Sequence, residues 1–140
     1  MANISFSRFL VDYLIENGVL EYLVGPESHS ELINRSGNVP AFLIVNQTIP
    51  EHLLNCLWQP VMDNKDPRIV KATLKMHQEM MSTMTLDQLA GLSKRISRLP
   101  FSSFDSSLMT FVGTVVEKIA KIYPNDMRQR QHSVRNIHSQ

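Results

Sequence analysis

The sequence predicts an all-α fold made of stacked antiparallel helix pairs. Three observations carry that prediction. Apolar residues recur at three- and four-residue spacing over most of the chain. Helix-starting patterns stand near positions 28, 48, 66, 85 and 105, each followed by such a stripe. No stretch alternates apolar and polar residues for long enough to make a strand.

The first helix lies in ISFSRFLVDYLIENG. There Phe6, Phe9, Leu10, Tyr13 and Leu14 form the apolar stripe, and Gly18 suits a left-handed C-terminal cap. VLEYLVGP is a short apolar turn stopped by Gly25-Pro26. Ser28 with Glu31 has capping-box spacing for the next helix, which breaks near Gly37, and Pro40 suits the first turn of a helix through Phe42 and Leu43. Thr48 with Glu51 is a second capping box, leading Leu53, Leu54, Leu57, Trp58 and Val61. Asp66-Pro67 opens a helix whose stripe is Ile69, Val70, Thr73, Leu74, His77, Met80 and Met81. Thr85 with Gln88 opens another, with Leu86, Leu89, Leu92 and Ile96. After the connector LPFSSFDSS, Asp105 caps a last long helix bearing Leu108, Phe111, Val112, Val115, Ile119 and Ile122.

The starts recur about every 18 to 20 residues, so two successive helices match the ~40-residue unit of armadillo and HEAT repeats. Six or seven helices of about 10 to 17 residues are expected, in a helical-repeat domain over residues 4–123. Residues 124–140 lose apolar periodicity and are expected to form a flexible C-terminal tail.

The 140 residues suit one domain, and 43% hydrophobic with 19% charged residues describes an ordinary globular chain. A formal charge of +1 makes no field that calls for nucleic acid or an anionic membrane. One cysteine excludes an internal disulfide and fits a reducing compartment. Arg8, Asp12 and Glu16 interrupt the N-terminal apolar run, so it is not read as a signal peptide. No apolar run approaches the ~20 residues of a membrane span. The expected address is the cytoplasm, with the sequons at Asn3, Asn34 and Asn46 bare.

Residues 16 to 58, ENGVLEYLVGPESHSELINRSGNVPAFLIVNQTIPEHLLNCLW, contain an ordered series of features. These are Gly25-Pro26, His29, Glu31-Leu32-Ile33, Phe42-Leu43, His52-Leu53 and Trp58. In that series the chain resembles the non-catalytic helical region of very large ubiquitin carboxyl-terminal hydrolases, the fat-facets-like kind with armadillo-like repeats. The resemblance covers residues 9 to 58 and continues loosely through DPRIVKATLKMHQEMMSTMTLDQLAGLSKRISRL. It departs after Trp58, where Gln59-Pro60 stands. Members are thiol proteases that cleave ubiquitin isopeptide bonds with a cysteine box and a histidine box. This chain shows neither box. The resemblance therefore implies a scaffold or protein-interaction segment, whose partners are proteins, including the remainder of a larger deubiquitinase. The alternative is a free-standing helical adaptor unrelated to ubiquitin.

His52 and Cys56, four residues apart, share a helix face and raise a third possibility, a small thiol enzyme. A nucleophilic thiol needs a lowered pKa, an orienting partner and an oxyanion hole. Cys56 instead sits well inside its helix among Leu54, Leu57 and Trp58, so it is read as packing and no catalytic residue is assigned. A zinc site needs four ligands. The pair supplies two, while His29, His77, His132 and His138 are scattered, so no metal or cofactor is expected.

Met76, Met80, Met81 and Met84 fall within three turns and are read as core rather than as a binding groove. Trp58 is read as an anchor within the fold. Asp63, Asp66, Glu79, Asp87, Glu117 and Asp126 form no apolar-set pair suited to acid-base work. Lys71 and Lys75 with Lys94, Arg95 and Arg98 are read as a solvated basic stripe, and Arg128, Arg130 and Arg135 as a cationic tail. No nucleic-acid motif and no glycine-rich phosphate loop occurs.

Overall fold

The computed structural model describes residues 2–45 and 49–122, with side chains from Arg8 onward. Thr48, Asn46, Asp126 and the tail from 124 to 140, with Arg128, Arg130, His132, Arg135 and His138, lie outside these residues. So do the side chains of Asn3 and Phe6.

All regular structure among the described residues is helical: α1 (Ala2–Glu16), α2 (Val19–Leu23), α3 (Ser30–Arg35), α4 (Asn38–Val45), α5 (Glu51–Asp63), α6 (Pro67–Met81), α7 (Leu86–Ser97) and α8 (Ser106–Ile122). A single 3₁₀ turn, Phe101–Ser103, sits in the last connector. The expected six or seven helices become eight because the N-terminal half is cut finely. Gly18 at φ +64 separates α1 from α2, Gly25-Pro26 stops α2, and Ser36-Gly37 parts α3 from α4. The three pieces α2, α3 and α4 are 5, 6 and 8 residues long, shorter than expected.

Local chemistry sets the later starts. The Asp66 carboxylate accepts the Arg68 N–H at 2.9 Å with Pro67 in the first turn. Thr85 and Gln88 form the reciprocal capping box. Asp105 Oδ1 accepts the Leu108 N–H at 2.9 Å. Two starts differ from expectation. At α3 the capping position belongs to His29, not Ser28, and no side chain caps it. At α5 the extended Pro50 holds that position, so the helix begins two residues later than a Thr48 cap would place it. Pro60 lies inside α5 without ending it. The helix runs on to Asp63 and closes at Asn64, which adopts the left-handed conformation (φ 48).

The centre of the fold is α6, which packs against α3, α4, α5 and α8; α7 pairs with α8, and α2 packs on α1 and α5. The reason is visible in its sequence. Ala72, Thr73, Leu74, Met76, His77, Met80 and Met81 are all buried, leaving α6 little solvent face beyond its lysine stripe. All four methionines from Met76 to Met84 are buried, where an unbranched thioether fills irregular gaps between helices. Trp58 from α5, His77 from α6 and Phe111 from α8 meet at the core. The Trp58 and His77 rings lie edge-on with centroids 5.1 Å apart, and Trp58 and Phe111 lie 5.9 Å apart. Burial of the Trp58 and Phe111 rings, at about 1.5–3 kcal/mol each for a large apolar side chain, with His77 wedged against both, ties the three helices together.

Part of one expected stripe faces outward. Phe9 and Tyr13 on α1 are 70% and 54% exposed, and Leu10 is exposed as well. Val11 and Ile15 meet the core in their place, beside Leu14 of the expected stripe. The last helix does the same on its far side, where Met109 and Val116 are exposed while Leu108, Phe111 and Val115 are buried.

Candidate functional site

The His52–Cys56 pair is the first candidate to place. Both lie on α5, but His52 is exposed and Cys56 half-buried, and among the described residues no hydrogen bond joins them. Burial raises the Cys56 thiol above its ordinary pKa, and the Glu21 carboxylate adds to that rise. Cys56 lines an open groove of about 490 Å³ bounded by α2, α3, α5 and α6, with Glu21, Val24, Gln59 and Pro60. Pro60 has no N–H to return to the Cys56 carbonyl. This environment keeps the thiol protonated, the opposite of what a nucleophile needs.

The described histidines do not converge. His29 precedes α3, His52 is on the surface of α5, and His77 is sealed in the core at 2% exposure. Among the described residues no group of three or more His, Cys, Asp or Glu side chains is arranged to hold a metal ion. His77 Nδ1 donates to the Thr73 carbonyl at 2.9 Å, which fixes the neutral tautomer with a bare Nε2. Burial lowers its pKa to about 4, the Thr73 carbonyl opposes that shift, and Arg95 adds to it. This imidazole is structural.

The basic residues divide in a way that spacing does not reveal. Arg95 is not on a solvated stripe. It is 5% exposed, its Nε donates to Asn55 Oδ1 at 2.7 Å, and its Nη2 donates to Glu51 Oε1 at 2.9 Å. Burial lowers its pKa and Glu51 counters that effect. Gly91, one turn before it, lies against the pair: a Cβ there would make ordinary contact with Nη1 at 3.5 Å and with Glu51 at 3.6 Å.

Lys71 and Lys75, by contrast, line an open groove of about 610 Å³ bounded by α3, α6 and α8, together with Arg68. Lys94 and Arg98 lie on α7 and at its C-cap and take no part in it. Ser30 and Asn34 of α3 and Ser107 of α8 face the same space, over a floor of Ala72 and Leu74. None of the residues lining this groove is acidic and none is aromatic.

Among the described residues no helix is long and apolar enough to cross a membrane. In comparisons with known proteins the chain matches no family model, no curated protein and no solved structure. What fold and surface define, among the described residues, is an all-α protein with a methionine-rich core, a half-buried thiol in one open groove and lysines in another.

Proposed function

We propose that this chain is a non-catalytic scaffold segment: a stack of armadillo- or HEAT-like helix pairs related to the helical region of the large ubiquitin carboxyl-terminal hydrolases. It acts by offering its outer helix faces to protein partners, and a thiol whose pKa is raised is compatible with that role. One observation carries the reading. The first and last helices each leave apolar side chains outside, Phe9 and Tyr13 on α1 and Met109 and Val116 on α8, where internal repeats of a solenoid would meet the next pair. The order of contacts also supports it. Helix α5 packs on α6 and α7 on α8, the pairing of consecutive helices that stacked pairs need. The link to ubiquitin hydrolases rests on the series from Gly25-Pro26 to Trp58.

The test is self-association. Light scattering after size exclusion is expected to show oligomers of the isolated chain that the Phe9→Glu, Val116→Glu double variant reduces to a monomer without loss of helicity. A wild-type monomer at high concentration, unfolding cooperatively at high temperature, points instead to the second reading, a self-contained helical adaptor unrelated to ubiquitin. The position of α6 favours that alternative, since it has four helical neighbours and behaves as the centre of a bundle. Transcript mapping across both ends of the frame separates the two independently: continuation into cysteine and histidine boxes supports the hydrolase relationship.

A further inference from the structure

We propose that the groove between α3, α6 and α8 binds a small polyol carrying two or more phosphate groups. Arg68, Lys71 and Lys75 stand at i, i+3 and i+7 on α6, one face of the helix. They spread positive charge over roughly 10 Å of its axis, enough to meet more than one phosphate.

That charge is not neutralised by neighbouring carboxylates. Lys71 and Lys75 form no ion pair among the described residues, and Arg68 has only a marginal 4.0 Å contact with Asp66. Glu31 of α3 is paired with Arg35 at 2.6 Å, Asp105 accepts the Leu108 N–H, and Glu79, four residues beyond Lys75 on α6, lies against Gly37 and forms no ion pair with that lysine. Ser30, Asn34 and Ser107 add polar side chains with no partner among the described residues, and Ser107 sits in the first turn of α8, at the positive end of that helix. Thr110 contributes less, because its hydroxyl is already donated to the Ser106 carbonyl at 2.9 Å.

The rest of the lining selects among polyanions. With no aromatic residue there is no stacking surface for a nucleobase, which disfavours nucleotides and single-stranded nucleic acid. The small floor of Ala72 and Leu74 offers no socket for peptide side chains. A volume near 610 Å³ is the size of a small-molecule site. What remains is a compact ligand rich in phosphates and hydroxyls. Two sources carry that chemistry, a soluble inositol polyphosphate and a phosphoinositide headgroup.

Calorimetric titration of the full chain with inositol hexakisphosphate at moderate salt is expected to give saturable binding. The Lys71→Glu, Lys75→Glu variant should weaken it at least about tenfold, since both lysines lose charge-assisted contacts. Both side chains are exposed, so that variant keeps its thermal unfolding midpoint. A Lys94→Glu, Arg98→Glu control, with the same charge change outside the groove, should stay within about twofold of wild type. Sedimentation with phosphatidylcholine vesicles containing phosphatidylinositol bisphosphate assigns the source. Capture that the groove variant abolishes means a headgroup, and no capture means a soluble polyol phosphate. No binding of the hexakisphosphate, equal loss in the control, or equal affinity for inorganic tripolyphosphate overturns the proposal. None of these outcomes bears on the scaffold reading, which self-association tests separately.

Discussion

Arg95 reaches from α7 to the first turn of α5, where its Nη2 donates to Glu51 Oε1 at 2.9 Å while its Nε holds Asn55. The two ends of this ion pair sit in different surroundings: the Arg95 side chain is 6% exposed and the Glu51 side chain 73%. Truncating each end should therefore cost different amounts. Arg95→Ala removes packing along the buried stem and two hydrogen bonds, and should lower unfolding stability by about 2–3 kcal/mol. Glu51→Ala should cost less, about 1–2 kcal/mol, because Asn55 still accepts from the guanidinium although its buried charge loses its carboxylate. A double-mutant cycle in urea should return a coupling near ~0.5–1 kcal/mol. Equal costs for the two single variants would contradict this account.

His77 should make stability depend on pH. Its folded pKa, about 4, lies below the ordinary value of 6.5 because protonation would charge a ring sealed between Trp58 and Phe111. Between those values the unfolded chain binds the proton and the folded one does not. Stability is therefore full above about pH 6.5, falls as pH drops toward 4, and levels off below it. The whole effect is of order 3 kcal/mol. His77→Gln should remove this component from a series of denaturant titrations across that range. If the variant retains the slope, another group is responsible.

How far these features could be read from sequence depends on the range of the interaction involved. The caps at Asp66, Thr85 and Asp105 were legible because a side-chain oxygen and an amide two or three residues away decide them. The Ser28 cap failed within the same short range: that hydroxyl is buried without a partner among the described residues while His29 takes the capping position. The outward turn of Phe9 and Tyr13 was not legible, since both faces of α1 carry apolar residues and only α2 decides which is covered. Arg95 was hidden for a similar reason. Its partners stand 40 and 44 residues away, and spacing along α7 groups it with the exposed Lys94 and Arg98. The phosphate groove shows the same limit, because Lys71 and Lys75 acquire a role only when α3 and α8 wall them in.

Trp58 should tolerate loss of its nitrogen far better than loss of its bulk. The indole is 1% exposed, yet its Nε1–H is buried with no acceptor among the described residues. Trp58→Phe removes an unpaired donor along with some volume, and should cost no more than about 1.5 kcal/mol. Trp58→Ala opens a cavity beside His77 and Phe111 and should cost about 3–5 kcal/mol. Thermal and urea unfolding of both variants checks the ordering. If the alanine variant unfolds at the wild-type temperature but fails to bind a partner, Trp58 is a contact residue and not the core anchor.

Cys56 offers the sharpest test between scaffold and enzyme. Burial first, and the Glu21 carboxylate second, hold its thiol above the ordinary pKa, so little thiolate exists at neutral pH. Reaction with a disulfide reagent near pH 7.5 should therefore be slower in the folded chain than after unfolding in urea, where the thiol regains its free pKa and full access. Glu21→Gln should speed the folded reaction modestly by removing the secondary contribution, and no more than modestly, because burial is the larger cause. His52→Ala should leave the rate unchanged, since that imidazole is exposed and makes no hydrogen bond to the sulfur. A folded rate above the unfolded one, lost on removing His52, would mean an activated thiolate and would return the thiol-enzyme reading to first place.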